Sequence, residues 1–221
     1  MINPVQAGEA VALQAATFSI GCFWGYEALF GSVSGVVQTC VGYAGGSTPY
    51  PTYHALADHI ETVQLKFNPA QISYAELIQL FFRSHTSTQP AYKRQYTSAV
   101  FYHDPAQEKL ARAAKVELEL EKGTPSYTVL YPYTQFYLAE NRHQKYKLQR
   151  QQKLLPEFEA MYPDFEAIIN APAAARVNGY LGGYGSIETL EEEIGEFGLS
   201  PTGQRLLLQE TAKFSHNKRS S

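Results

Sequence analysis

The sequence predicts an α/β fold in which one mixed sheet carries helices against a face. Segments with strand character and helical character follow one another in the order strand, helix, strand, strand, helix, strand, helix over residues 15–155. Hydrophobic residues make up 44% of the 221 residues, which is enough for a buried core and excludes a disordered chain. We expect one main domain on these grounds.

The predicted strands are short apolar segments between turn residues. They cover residues 15–20, 36–43, 60–67 and 96–102, and residues 127–130 are a candidate for the last one. Residues 60–67 (Ile-Glu-Thr-Val-Gln-Leu-Lys-Phe) alternate between apolar and polar, which predicts a half-buried strand. Residues 46–59, with two prolines and several aromatics, are predicted to be a long loop of the kind that often carries function.

Helices are predicted from apolar spacing and from capping residues. Ser73 and Glu76 match a capping box ahead of one helix, and Asp104-Pro105 supplies an N-cap and a first-turn proline for another. A helix that begins near Cys22 follows the first strand. The predicted helices cover residues 22–30, 74–84, 105–122 and 138–155, with shorter ones around 191–193 and over 206–214.

The chain divides into three predicted parts. Residues 1–14 are expected to form a flexible arm, residues 15–170 the main domain, and residues 171–221 a C-terminal extension rich in Ala, Gly and Tyr at its start. We expect this extension to cover an exposed face of the sheet rather than the mouth of a pocket, and to be packed or partly mobile.

Composition excludes several classes of protein. The net charge of −3 gives no reason to expect a nucleic-acid or membrane partner, since both require clustered cations. Two cysteines cannot make a disulfide framework. We find neither a signal peptide nor an apolar stretch long enough to span a membrane, and therefore expect a soluble, cytoplasmic protein that acts as a monomer.

The most informative local motif is Gly21-Cys22-Phe23-Trp24-Gly25. A cysteine between a strand and a helix meets unpaired backbone N–H groups and the helix dipole, which stabilise a thiolate. We therefore expect the Cys22 thiol to ionise more readily than a free thiol and to be nucleophilic. The alternative is that Cys22 is a small buried core residue.

Further motifs follow this segment in a fixed order, and together they resemble the peptide methionine sulfoxide reductase A family, which acts on the S epimer of methionine sulfoxide. The resemblance covers roughly residues 15–155, and several ordered motifs make a chance match implausible. The motifs are Gly21-Cys22-Phe23-Trp24-Gly25-Tyr26-Glu27, Val41-Gly42-Tyr43-Ala44-Gly45-Gly46, Pro51-Thr52-Tyr53, His59-Ile60-Glu61, Gln95-Tyr96-Thr97-Ser98-Ala99-Val100-Phe101-Tyr102 and Ala139-Glu140.

The resemblance implies a two-layer, ferredoxin-like arrangement and roles for six residues in the main domain, which would be the catalytic domain. Cys22 would be the nucleophile and Glu61 the acid that protonates the sulfoxide oxygen. The substrate contacts would come from Phe23 and Trp24, which would hold the S-methyl group, and from Tyr53 and Tyr96, whose phenols would hydrogen-bond the oxygen. An aromatic pocket favours the neutral form of a Glu, which suits an acid. Without the resemblance, Glu61 would be a surface residue and both tyrosines packing residues.

The implied reaction needs no metal, nucleotide or flavin, but it leaves Cys22 as a sulfenic acid. Residues 171–221 contain no cysteine, and Cys40 is expected to be a strand residue that fills core space. We therefore expect an external thiol such as thioredoxin, glutaredoxin or glutathione to reduce Cys22 directly. The substrate would be methionine sulfoxide, free or in oxidised proteins.

Two departures from the family pattern keep other functions open. The loop before Tyr96 contains no acidic residue, and Arg142 stands where the family has a tyrosine. One alternative is a cysteine hydrolase with His54, His59 or His143 as its base. The other is a non-catalytic module that binds methionine sulfoxide.

Overall fold

The structure, a computed structural model, describes residues 12–218 and contains a six-stranded mixed sheet. The strand order is β5-β4-β1-β3-β2-β6, and all neighbours are antiparallel except β4 and β5. The strands are β1 (Gln14–Ile20), β2 (Val36–Ala44), β3 (Ile60–Phe67), β4 (Ser98–Tyr102), β5 (Val129–Pro132) and β6 (Phe136–Leu138). Most of the predicted N-terminal arm, residues 1–11, lies outside the described residues.

The first three helices follow the strands in the predicted order, and from residue 146 the described chain consists of helices and connecting turns. The helices within residues 155–181 differ from prediction, which gave none there. The helices of the described chain are α1 (Phe23–Gly31), α2 (Tyr74–Arg83), α3 (Pro105–Lys122), α4 (Tyr146–Gln149), α5 (Leu155–Met161), α6 (Phe165–Asn170), α7 (Pro172–Leu181), α8 (Ile187–Glu193) and α9 (Pro201–Lys218). The succession β1-α1-β2-β3-α2-β4 with central order β4-β1-β3-β2 is the ferredoxin-like arrangement, so the predicted fold class is confirmed. Among residues 12–218, the helices are too short or too polar to cross a membrane.

The core of the main domain is centred on Phe18 in β1. Its ring is fully buried and lies 5.2 Å from the ring of Phe30 in α1 and 5.2 Å from that of Phe81 in α2. Both helices therefore pack against the same face of the sheet. Buried aromatic groups of this size each contribute several kcal/mol, which fixes the position of α1 over β1.

The chain between Ala139 and Lys145 is not the helix predicted over residues 138–155. Leu138 ends β6, and the side chain of Gln144 continues the sheet edge: its Oε1 accepts from Val41 N at 2.9 Å and its Nε2 donates to Val41 O at 2.7 Å. Lys145 then has a left-handed backbone with φ of 48°. Pairing with the β2 edge outweighs the helical propensity of this segment.

A buried ion pair explains the left-handed turn at Lys145. Its Nζ lies 2.8 Å from Oε1 of Glu27 in α1, and its backbone N–H donates to Glu27 Oε2 at 2.8 Å. Both side chains are completely buried. Two opposite charges that are removed from water and bonded this way tie α1 to the segment that follows β6.

Two other boundaries differ from prediction. The fourth strand begins at Ser98 rather than at Tyr96, because residues 94–96 form a 3-10 turn. The last helix begins at Pro201, ahead of the predicted residue 206, since Pro is favourable in a first helical turn.

The C-terminal helices form a second apolar cluster and pack against α1 through α7. The contact is close enough to require glycine: a Cβ on Gly31 would lie 2.3 Å from the carbonyl oxygen of Ala175 in α7. The cluster begins at Leu148 and includes Leu207. The boundary at residue 170 remains a prediction.

We expect Gly31→Ala to lower the free energy of unfolding by about 1–3 kcal/mol, because overpacking forces α7 away from α1. Gly25 in the same helix is the matched control, since a Cβ there would meet no atom within 4 Å. Gly25→Ala should be neutral or stabilise by up to about 1 kcal/mol through helix propensity. Urea unfolding of both variants measures the difference, and equal stabilities would contradict the assigned contact.

Candidate active site

Cys22 lies where the sequence places it, between β1 and the first turn of α1. Gly21 has φ of 95°, a left-handed value that glycine adopts without strain, and Cys22 is the N-cap of α1. Cys22 is exposed, so the alternative of a buried core cysteine is wrong. The backbone N–H groups of Trp24 and Gly25 donate toward its sulfur.

The pKa of the Cys22 thiol is shifted in the direction opposite to the expected one. Desolvation by the surrounding side chains raises the pKa of the Cys22 thiol, and repulsion from the Glu61 carboxylate raises it further. The hydrogen bonds from Trp24 and Gly25 lower the pKa, but they do not outweigh the desolvation. The prediction that this thiol ionises more readily than a free one is therefore wrong, because desolvation outweighs the effect of the helix terminus and the Glu61 carboxylate adds to the desolvation.

Glu61 is the second residue of β3, and its carboxylate is buried beside the cysteine. The residue is 1% exposed, and its Oε2 accepts a hydrogen bond of 3.1 Å from the backbone N–H of Phe23. Burial raises the pKa of the Glu61 carboxyl, as expected, although the hydrogen bonds from Phe23 and Gln95 act in the opposite direction. The alternative of a surface glutamate is wrong.

Gln95 is a site residue that the sequence analysis missed. Its Nε2 donates to Glu61 Oε1 at 3.0 Å, so the loop that lacks an acidic residue supplies an amide to this network. The turn that carries it is held to β1 and β3, since Ser19 Oγ lies 2.6 Å from the carbonyl oxygens of both Glu61 and Thr97. The position of Gln95 directly before Tyr96 is the signal that could have found it.

Tyr53 and Tyr96 both face the Cys22–Glu61 pair. Burial and then the Glu61 carboxylate raise the pKa of Tyr96 to about 12. The same two causes raise the pKa of Tyr53, and Cys22 adds to the effect at both phenols. Phenols with raised pKa values are neutral and can donate hydrogen bonds to an acceptor. Tyr53 is further held by its backbone N–H, which donates to Glu140 Oε1 at 3.1 Å.

Phe23 and Trp24 form an aromatic wall next to the sulfur. Phe23 is buried, and its ring lies 6.5 Å from the Trp24 ring. Trp24 stacks on Tyr146 of α4 with a centroid distance of 3.9 Å and an angle of 5°. Its indole Nε1 also donates to His143 Nδ1 at 3.2 Å. Tyr146 therefore holds one face of the Trp24 indole and His143 holds its N–H edge, and these contacts orient the indole toward the site.

His143 is a second site residue whose role the sequence did not indicate. The residue is buried, and its Nε2 faces the Nε–H of Arg142 at 3.2 Å while Nδ1 faces Trp24. Burial lowers the pKa of His143, which favours the neutral imidazole. A neutral imidazole accepts a hydrogen bond at one nitrogen only, so Trp24 and Arg142 compete for it.

The three histidines considered for a hydrolase have other partners in the described part of the chain. His59 accepts from Gly46 N at 3.2 Å and lies 2.7 Å from Thr48 O, which closes the loop over residues 46–59. His54 faces Arg142, and His143 faces Trp24 and Arg142. The hydrogen bonds of residues 12–218 give Cys22 no histidine partner, so the geometry does not support a hydrolase.

Cys40 lies on β2 and is buried, and burial raises the pKa of its thiol to about 11. Both cysteines are free thiols. Residues 12–218 contain no group of three or more His, Cys, Asp or Glu side chains that could hold a metal ion.

We expect the alkylation of Cys22 by iodoacetamide to show a pH midpoint above that of an unperturbed cysteine. A Cys40→Ser background makes Cys22 the only thiol. Glu61→Gln should move the midpoint to lower pH, because it removes the negative charge that opposes the thiolate. Glu108→Gln on α3 is the control for net charge, and an equal shift in this control would contradict the assignment.

The contact between Trp24 and His143 is tested by fluorescence, since the chain has a single tryptophan. His143→Leu removes the acceptor of the indole N–H. We expect a changed emission maximum and stronger quenching by acrylamide. His54→Leu is the control, and a spectrum of His143→Leu identical to that of the parent protein would refute the contact.

Two family models match this chain, and together they cover most of it. The family model "Peptide methionine sulfoxide reductase" matches residues 14–167, and the model "Selenoprotein methionine sulfoxide reductase A, helical domain" matches residues 166–207. A peptide methionine sulfoxide reductase of Drosophila melanogaster is 41% identical over 205 residues, which is 91% of this chain and 81% of that protein. One from Methanosarcina acetivorans is 41% identical over 61% of this chain and 77% of that protein.

Solved structures of methionine sulfoxide reductases are also similar to this chain. The reduced form of Mxr1 from Saccharomyces cerevisiae matches with a TM-score of 0.59 and 31% identity, over 63% of this chain and 87% of that one. Methionine sulfoxide reductase A of Corynebacterium diphtheriae matches with a TM-score of 0.55 and 29% identity, over 66% of this chain and 78% of that one. The chain therefore belongs to the peptide methionine sulfoxide reductase family.

Proposed function

We propose that this protein reduces the S epimer of methionine sulfoxide, free or in oxidised proteins, and that Cys22 and Glu61 carry out the reaction. The observation that carries the proposal is the hydrogen bond of 3.1 Å from Phe23 N to Glu61 Oε2. Because Phe23 follows Cys22 directly, this bond keeps a carboxyl group with a raised pKa next to an exposed thiol. An acid beside a nucleophile is what removal of a sulfoxide oxygen requires.

In the proposed reaction the Cys22 sulfur attacks the sulfoxide sulfur, and Glu61 donates a proton to the sulfoxide oxygen. The protonated oxygen leaves the substrate sulfur as hydroxide while an S–S bond to Cys22 forms. Hydroxide then attacks the Cys22 sulfur and breaks this S–S bond, so that Cys22 becomes a sulfenic acid and the sulfide of methionine is released. After donating its proton, the Glu61 carboxylate can accept a proton from the reducing thiol that reacts next. The raised pKa of the Glu61 carboxyl favours the protonated form, which is the form that the reaction needs.

The remaining site residues would bind the substrate. The wall of Phe23 and Trp24 suits the S-methyl group, since it offers apolar surface beside the sulfur. The phenols of Tyr53 and Tyr96 suit the sulfoxide oxygen, which is a strong acceptor. Gln95 keeps Glu61 oriented by its hydrogen bond of 3.0 Å.

A second thiol must then reduce the sulfenic acid. We propose an external thiol, of the thioredoxin, glutaredoxin or glutathione type, because Cys40 is buried in β2 and residues 171–221 contain no cysteine. Two equivalents of thiol regenerate Cys22 and release one disulfide and one water. The exposed position of Cys22 gives such a reductant access.

Variants at three positions test the proposal with dithiothreitol as reductant and the separate S and R epimers as substrates. Cys22→Ser should abolish even a single turnover, and Glu61→Gln should lower kcat by about 10²–10⁴-fold, since it removes the proton donor. Cys40→Ser is the matched control and should keep multiple turnover. Reduction of the R epimer alone would refute the proposed substrate, and a Cys40→Ser protein that stops after one turnover would refute the external thiol.

The same assay distinguishes the proposed reductase from a non-catalytic binding module. A module that only binds methionine sulfoxide would form no methionine under single-turnover conditions. Trapping with dimedone after the addition of substrate should label Cys22 as a sulfenic acid, and no other outcome agrees with the proposed chemistry.

A further inference from the structure

Arg142 lies at the rim of the candidate site and has no role in the reaction proposed above. Its guanidinium carbon is 5.8 Å from the centroid of the Tyr53 ring, and its side chain is 56% exposed. A permanent positive charge therefore stands behind one of the phenols that face Cys22, with access to solvent. A sulfoxide group is neutral, so this charge has no partner in the reacting group itself.

The guanidinium group is held in a defined orientation. Its Nε–H lies 3.2 Å from His143 Nε2, an acceptor for which it competes with the Trp24 indole, and its Nη2 lies 3.4 Å from His54 Nε2. The hydrogen bonds and ion pairs of residues 12–218 assign no partner to Nη1. A planar guanidinium that is oriented and still has a free donor is suited to bind a carboxylate, which accepts two parallel hydrogen bonds.

Glu140 forms an ion pair with Arg142 but no hydrogen bond, so it satisfies this charge only in part. Its nearest oxygen is 3.7 Å from Arg142 Nη2, beyond a hydrogen bond, and its side chain already accepts from Tyr43 Oη at 2.7 Å and from Tyr53 N at 3.1 Å. Glu140 is also the only acidic residue between positions 139 and 153, a segment with five Lys and Arg residues. One of these five, Lys145, is buried and paired with Glu27, so four cations stand against Glu140 in this segment.

We propose that Arg142 binds a carboxylate of the substrate beside the methionine sulfoxide side chain. This carboxylate is either the α-carboxylate of a free or C-terminal methionine sulfoxide or the side chain of an acidic neighbour in a peptide. The α-carboxylate lies about 5–6 Å from the sulfur in an extended methionine sulfoxide. The inference rests on the proposed reductase activity.

The first test compares two substrates that differ only in charge, the S epimers of N-acetyl-methionine sulfoxide and of its N-methylamide. The ratio of kcat/KM for the carboxylate to that for the amide measures recognition of the charge. We expect Arg142→Gln to lower this ratio about five-fold, mainly through KM, since the contact is exposed. Arg142→Lys should retain part of the ratio, because it keeps the charge but loses the planar fork.

The second test identifies the source of the carboxylate. Two blocked peptides place Asp or Asn directly after methionine sulfoxide, so that only an acidic side chain distinguishes them. A fall of the Asp-to-Asn ratio in Arg142→Gln supports recognition of acidic neighbours. A fall only in the ratio for the N-acetyl-methionine sulfoxide pair supports recognition of the terminal carboxylate. Both ratios should also decrease as the salt concentration rises.

Arg112→Gln on α3 is the matched control, because it removes one exposed arginine that pairs with Glu108. An unchanged ratio in Arg142→Gln for both substrate pairs, or an equal fall in Arg112→Gln, would overturn the inference. The failure of the proposed function is distinguishable from these results: the parent protein would then reduce neither member of either pair.

Discussion

The site depends on one hydrogen bond, from the backbone N–H of Phe23 to the carboxylate of Glu61. It joins the first turn of α1 to β3, two elements that lie far apart in sequence and come together because α1 packs on the sheet through Phe30 and Phe18. The bond satisfies one of the free N–H groups of the helix terminus with a buried acceptor. The acid and the thiol therefore keep a fixed relation to each other without any direct bond between them.

The two groups at the centre of the site oppose each other electrostatically. Glu61 raises the pKa of the Cys22 thiol, and burial raises the pKa of both. In the resting site neither negative charge is favoured, because burial penalises both charged forms. In the proposed reaction a substrate oxygen takes the proton of Glu61, so the carboxylate forms as the thiol is consumed. The arrangement thus suits a reaction in which a proton and an attacking sulfur act together.

Residues 139–146 pack behind the site and hold the elements that surround it in place. Gln144 closes the edge of β2, Lys145 pairs with Glu27 in α1, and Tyr146 stacks on Trp24. His143 holds the polar edge of the same indole. Neighbouring residues of one short segment therefore contact the sheet, the helix and the aromatic wall. The C-terminal helices add support by packing on α1 through α7.

The sequence by itself predicted the order of the elements from β1 to β4 and the position of Cys22 at a helix start, because local spacing carries this information. The resemblance to a known family pointed to Glu61 as the acid. Only the tertiary structure decided the conformation of residues 138–155, where pairing with β2 and a buried ion pair override a helical pattern. It also decided the sign of the Cys22 pKa shift and the partnership of Gln95 with Glu61. These depend on which charges and amides approach through space, and no local pattern encodes that.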